Sequence, residues 1–346
     1  MKKLQKTSQS NKKEVRRNDI LINIFVLAVT LVLVFLFLEL FFRFYVYTVF
    51  DKNDDLINFI QESNNSRLAY ELKPNSQGYI YDKKVEINQN GERGKLYPYG
   101  KPKETTRIVF IGDSITFGFG SLINESYPYL VEDSLNKKYT NRFEAIDLGV
   151  YSYNTVQQVE SLKVKGLRYS PDIVVVGFYI SNPEGDFNRL NPQVPKRKIL
   201  HATITSLSKH SYFFKYALDT FRMLGIENDF SDIYDKNSKD WKNFEAAIND
   251  LESLSKKNDF KVVFVIHPQL YNFDKYHLNE YHNTIRSLAE SKGFIVLDML
   301  DYYKEYDAKK LKAAKQDYSH PNHLGNIIIS KEITDTFIKN NLLAKY

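Results

Sequence analysis

The 346-residue chain contains no cysteine. Thiolate zinc sites, iron–sulfur clusters and a cysteine nucleophile are therefore excluded, and an oxidising compartment is permitted but not demanded. Glycine and proline, at 14 and 10 residues, fall far below a collagen-like share, and there is no internal repeat or low-complexity tract. The GFG at 118–120 is not followed by Gly-Lys-Ser/Thr, so a phosphate loop is not expected. His320 and His323 stand without a His-Glu-x-x-His pattern or a carboxylate cluster, so neither a metal nor any other cofactor is expected. The Gly-x-Ser-x-Gly elbow of ordinary α/β-hydrolases is missing too. Serine, histidine and carboxylates remain to carry chemistry. With 43% hydrophobic residues, the chain can bury the core of one catalytic-size domain plus appendages.

The formal net charge of +6 is unevenly distributed. Residues 1–19 hold seven cations (Lys2, Lys3, Lys6, Lys12, Lys13, Arg16, Arg17) against Glu14 and Asp19, which accounts for five of the six charges. Everything beyond is nearly neutral, so no body-wide field exists to attract nucleic acid, and no nucleic-acid partner is expected.

From Ile20 to Phe42 the chain reads ILINIFVLAVTLVLVFLFLELFF, interrupted only by Asn23, Thr30 and Glu39. As a helix this run extends about 34 Å, enough to cross a hydrocarbon core of about 30 Å. It exceeds a signal-peptide core, and bulky Phe44, Tyr45, Tyr47 and Phe50 follow where a small-residue cleavage site would be needed, so it reads as an uncleaved anchor contacting membrane lipid. The cations ahead of it place the N-terminus in the cytoplasm and the rest of the chain outside, in the periplasm or at the cell surface. Glu39 is costly within an apolar stretch. It reads as lying near the outer interface, protonated or paired with Arg43 one turn on, with a functional role as the alternative. The expected organisation is a basic tail at 1–19, a transmembrane helix at 20–42, a stalk and N-terminal embellishment at 43–105, and a catalytic domain at 106–346.

Within 43–105, Asn90-Gly91 between short alternating runs suggests a hairpin. After residue 106, short β-branched runs appear at 107–112, 144–149, 172–178, 261–267 and 294–298, too continuous in Val and Ile for half-exposed strands. Between them lie candidate helices Thr155 to Arg168, Trp241 to Lys256, Leu278 to Lys292 and Leu324 to Asn340. This alternation predicts a three-layer α/β/α fold around a mainly parallel five-stranded sheet. It lapses over an insertion at about 186–240, rich in aromatics and cations, which reads either as a lid or as ordinary packed helix.

Two motifs carry chemistry. IGDSITFGFG at 111–120 places Ser114 just past a strand end, where open α/β sheets bind their ligands. KQDYSHPNHLGN at 315–326 places Asp317 and His320 three apart, immediately before a helix. A serine hydroxyl is a weak nucleophile until an imidazole takes its proton, and that imidazole needs its far nitrogen held. Asp298 also ends a strand and is the rival acid, and His267 follows a strand and could reach the cleft or be structural.

These blocks resemble the SGNH-hydrolase (GDSL esterase/lipase) superfamily, including its membrane-anchored bacterial members. Gly112, Asp113, Ser114, Thr116 and Gly118 match its first block, Gly149 in DLGVYSYNTVQQ its second, Asn182 in GFYISNPEGD its third, and Asp317, His320 and Pro321 its last. The segment at 70–94 is similar to the region preceding the domain in anchored members. The resemblance implies an SGNH/flavodoxin-like fold with Ser114 as nucleophile, His320 as base and Asp317 as its orienting acid. It further implies an oxyanion hole formed by the Ser114 and Gly149 N–H groups and the Asn182 side chain. Pro183 and Ser152 depart from the family's Asp and Gly at those places. The implied activity is serine-esterase removal of O-acyl groups, O-acetyl in particular, from cell-surface glycans or small esters. Two alternatives stay open: an O-acetyltransferase of envelope polysaccharide using the same triad, and a non-catalytic glycan-binding or assembly scaffold.

Overall fold

All eight residues of Thr105–Gly112 are buried, a pattern that requires a strand covered on both faces. In chain order the strands are β1 Ile60–Glu62, β2 Tyr70–Leu72, β3 Gln77–Ile80, β4 Lys83–Glu86, β5 Thr105–Gly112, β6 Arg142–Asp147, β7 Ile173–Tyr179, β8 Lys261–His267 and β9 Ile295–Asp298. The α-helices are α1 Lys2–Val49, α2 Ser114–Phe117, α3 Tyr127–Lys138, α4 Thr155–Val164, α5 Lys239–Asn258, α6 Asn279–Ser291, α7 Leu300–Tyr303 and α8 His323–Lys339. The computed structural model describes residues 2–49, 56–140, 142–180, 211–213, 230–231, 233–315 and 317–343. The chain divides into two units, residues 1–52 with 194–228 and residues 53–193 with 229–346.

In the larger unit β5 to β9 form one sheet in the order β6-β5-β7-β8-β9, every pair parallel. Alternate residues face opposite layers. Val109, Ile111, Val174 and Val176 join Leu162 of α4, Phe244 of α5 and Ile285 of α6 in one core. Ile108, Phe110, Ile173 and Val175 join Val131 and Leu135 of α3 and Ile329 and Phe337 of α8 in the other. The three-layer expectation holds, with each of the five strand runs in its place. The strand order reverses between β5 and β7, and open α/β sheets bind their ligands beyond the carboxyl ends of the strands at such a switch point.

Helix α3 was not legible from apolar periodicity, because its sequence YPYLVEDSLNKK is half polar. Its start is marked by Ser126 at the N-cap position and Pro128 in the first turn. The expected hairpin also differs in detail. Strands β3 and β4 pair antiparallel around Tyr81 and Asp82, both at positive φ, whereas Asn90-Gly91 closes a smaller loop bridged by Ile87 and Arg93. A third apolar cluster joins Phe59, Leu72, Ile80 and Val85 of this N-terminal segment to Phe117, Phe119 and Tyr153.

In the smaller unit, α1 is long and apolar enough over Leu21–Phe44 to cross a membrane. Glu39 does meet Arg43, at 3.8 Å, but its closer partners come from far along the chain. Ser211 Oγ donates to its carboxylate at 2.6 Å, and the Tyr212 and Phe213 N–H groups donate at 3.1 and 3.3 Å. The Phe213 ring lies against Phe35 and Phe42. Nothing in the local sequence around Glu39 marks Ser211 as its partner.

Candidate active site

Ser114 opens α2 directly beyond the carboxyl end of β5. The strand cannot continue, because Asp113 turns the chain and its Oδ1 accepts the Ile115 N–H at 2.8 Å. After one helical turn Gly118 adopts φ +79, a left-handed conformation that glycine takes without steric cost. A Cβ on Gly112 would come within 1.8 Å of Thr116 Oγ1, so that glycine lets the turn fold back on its own strand.

The second motif delivers its pair from one tight turn. Asp317 Oδ1 accepts the Ser319 N–H at 2.9 Å and the His320 N–H at 3.0 Å, which leaves Oδ2 facing His320 Nδ1 at 2.7 Å. Asn322 then caps α8 by accepting the Gly325 N–H. The loop is fastened by Ala313 N–H to His320 O and Asn322 N–H to Leu311 O. Held in this way, His320 places Nε2 2.8 Å from Ser114 Oγ, although the two residues are 206 positions apart. Burial pushes the Asp317 carboxyl up, but attraction to His320 and the hydrogen bonds from His320 and Ser319 outweigh it and hold the group below the ordinary carboxylate value. Asp317 is thus an anion at neutral pH, and Nδ1 carries the proton that binds it. Nε2, the other ring nitrogen, then faces Ser114 Oγ as a hydrogen-bond acceptor.

The other expected residues fall as follows. Gly149 follows β6 and packs on the serine turn so closely that a Cβ would meet Phe117 N at 2.3 Å. Its N–H donates to Asp147 Oδ1 at 2.8 Å. Burial raises the Asp147 carboxyl to about 8, against the pull of the Gly149 N–H and the nearby Arg93 charge. Ser152 stands at φ +59, a left-handed position, which accounts for the glycine usual there in the family. Asn182 and Pro183 lie outside the described residues.

Asp298 is committed elsewhere. Its carboxylate binds His282 Nδ1 at 2.9 and 3.0 Å and Arg286 at 3.1 Å, both from α6. His267 is only 2% exposed and sits against the Tyr127 ring, and burial lowers its imidazole to about 3, so it is neutral and structural. Two contributors went unseen in the sequence. Phe119 stacks on His320, and Tyr179 accepts a hydrogen bond from Ser319 Oγ at 3.0 Å. Both belong to the motif regions, but nothing about their type or spacing announced those contacts.

The sequence matches the GDSL-like Lipase/Acylhydrolase family over residues 110–327. No curated protein matches it. Among solved structures, it is similar to the lipase/acylhydrolase from Enterococcus faecalis, with 16% identity and a TM-score of 0.42, covering 68% of this chain and 96% of that one. A catalytic mutant of the acetylxylan esterase Axe2 from Geobacillus stearothermophilus is similar at 15% identity and a TM-score of 0.44, over 67% of this chain and 93% of that one. A two-domain esterase active on acetylated mannans is similar at 16% identity and a TM-score of 0.43, over 70% of this chain and 51% of that one. The family match extends from the middle of β5 to the first turns of α8, over both motifs, and the chain accordingly belongs to the GDSL-like lipase/acylhydrolase family, as a serine hydrolase of the SGNH type acting on ester bonds.

Proposed function

We propose that Ser114 is the nucleophile, His320 the general base and Asp317 the acid that orients it. The observation carrying this reading is the line of contacts from Asp317 Oδ2 to His320 Nδ1 and from Nε2 to Ser114 Oγ, 2.7 and 2.8 Å long. Ser114 Oγ attacks the ester carbonyl as its proton passes to Nε2, and Asp317 stabilises the resulting imidazolium. The tetrahedral intermediate collapses, the leaving alcohol takes that proton, and an acyl-enzyme remains. Water then attacks with His320 again as base, releasing the acid and restoring Ser114.

The developing oxyanion is met by the Ser114 N–H, which as the first residue of α2 has no intrahelical acceptor. The family resemblance assigns two further donors, the Gly149 N–H, which in this structure donates to Asp147 Oδ1, and the side-chain amide of Asn182. Each such donor is worth about 3 to 4 kcal/mol in the transition state.

The apolar stretch of α1 serves as an uncleaved membrane anchor, the cation-rich residues 1–19 stay cytoplasmic, and residues 106–346 work outside the membrane. The length of the Leu21–Phe44 run and the exposure of its side chains support that reading. An esterase tethered there meets acylated surface glycans, and O-acetyl groups on such glycans or on small esters are the proposed substrates.

The direct test measures p-nitrophenyl acetate hydrolysis by the full chain and by S114A. The variant is expected to lose at least about a thousandfold in kcat, along with labelling by a fluorophosphonate. Undiminished turnover in S114A would remove the assignment. Acetate release from acetylated envelope glycan tests the substrate class, and its absence alongside brisk turnover of small esters would confine the enzyme to the latter.

A further inference from the structure

The family match begins at residue 110, yet a side chain from well before it reaches beneath the serine turn. Arg93 follows the Asn90-Gly91 loop and is 2% exposed. Its Nη1 donates to Phe117 O at 2.5 Å and to Gly118 O at 2.6 Å, and its Nη2 donates to Ser121 O. The guanidinium also lies over the Phe117 ring, 4.8 Å from its centroid. Those carbonyls follow Ser114 by three, four and seven positions. The local chain satisfies part of this turn, through Gly118 N–H to Ile115 O, Phe119 N–H to Ser114 O and Ser121 N–H to Gly118 O, and the Arg93 fork adds donors to Phe117 O, Gly118 O and Ser121 O.

We propose that Arg93 is a positioning residue for the nucleophile: its guanidinium fork fixes the turn that carries Ser114, so part of the active-site support lies in the segment preceding the family domain.

Two further contacts converge on the same turn. Gly149 abuts the Thr116 and Phe117 backbone from the β6 side, and its N–H is held by Asp147. The Arg93 guanidinium lies near Asp147 as well, close enough to oppose the effect of burial on its carboxyl. Burial lowers the guanidinium only to about 10, so the charge persists at neutral pH. The fork geometry matters. Three carbonyls in different directions suit the planar donors of arginine, whereas a lysine ammonium on a flexible stem can reach only some of them. Van der Waals filling alone would not explain the three bonds, and the close approach of the fork to Gly118 requires glycine there, since a Cβ would come within 2.9 Å of both Arg93 Nη1 and Ser126 Cβ.

This inference rests on Ser114 being the nucleophile, and the experiment separates the two. R93K and R93M are compared with the unaltered chain and with S114A, each normalised to folded protein by near-ultraviolet circular dichroism. A misplacement of about 1 Å can cost about a hundredfold in rate, so R93M is expected to lose about a hundredfold in kcat and R93K about tenfold. KM should stay within about twofold in both, because substrate contacts are untouched. The rate of fluorophosphonate labelling per folded molecule should fall in parallel. Should R93M fail to fold, R93K carries the test. Folded R93K and R93M with unaltered kcat and labelling rates, beside an inactive S114A, would overturn the positioning role and leave the nucleophile assignment standing. An active S114A would instead remove that assignment.

Discussion

The phenyl ring of Phe119 lies face to face with the imidazole of His320, with centroids 4.4 Å apart and planes inclined by 29°. The same ring meets Tyr81 of the β3–β4 turn edge-on at 5.2 Å. His320 is thus held on three sides: by Asp317 at Nδ1, by Ser114 at Nε2 and by a packed ring on one face. Replacing Phe119 with Ala removes the face that stops the imidazole from tilting. F119A is expected to lower kcat about tenfold with little change in KM, while F119L, which keeps a wall, recovers most of it. Steady-state kinetics on both variants check this, and equal kcat for F119A and the parent would show that the stacking does not orient the base.

Asp317 and Asp298 both carry carboxylates in Asx turns and both bind a histidine, yet only one faces the serine. D317N keeps the shape but no longer favours the Nδ1–H tautomer or the imidazolium, so kcat should fall by about 10² to 10⁴. D298A instead strips the partner from buried His282 and half-buried Arg286, which should cost roughly 3 to 5 kcal/mol of stability. Activity per folded molecule should survive. Urea denaturation and active-site-titrated kinetics on the two variants distinguish these outcomes, and a folded, inactive D298A would reverse the assignment.

Asp147 makes stability fall as pH rises. Its carboxyl titrates at about 8 in the folded chain, against an ordinary value of 3.8, because burial disfavours its anion. Between those values the folded state keeps a proton that the unfolded state has released, so increasing pH favours unfolding, by at most about 1.4 kcal/mol per pH unit. Asparagine retains the acceptor for the Gly149 N–H and cannot ionise. D147N is therefore expected to gain stability over the parent progressively from pH 5 to pH 8, with the difference level above that. Denaturant midpoints at pH 5, 7 and 9 provide the measurement, and a pH-independent difference would contradict the buried-acid account.

The absence of native cysteine makes the contact between Glu39 and Ser211 directly testable. Ser211 Oγ and the two following N–H groups converge on the Glu39 carboxylate, so cysteines at both places should be within reach of a short bifunctional maleimide. E39C/S211C in the full chain is expected to give an intramolecular cross-link, visible as a mobility shift, and its absence would contradict the contact. The control E39C/S10C should give none.

Much of the fold was legible because it is written locally. A parallel strand covered on both faces must be continuously apolar, so Ile173–Tyr179 and Lys261–His267 show themselves without reference to the rest of the chain. The Asp317-x-x-His320 pair was equally visible, since a three-residue separation on a turn brings a carboxylate to an imidazole by local geometry alone. Half-polar α3 has no such local signature, because its buried stripe is defined by α8 and β6 rather than by its own periodicity.

The residue types and short spacings of this chain determined which side chains could do acyl chemistry and which segments would be strands. Tertiary structure decided the rest: that Ser114 meets His320, that Asp298 turns to His282, that Arg93 lies beneath the serine turn, and that Glu39 finds Ser211. Periodicity and motif spacing encode contacts along one element. Contacts between distant elements depend on how sheet order and loop closure bring them together, which no single stretch of sequence records.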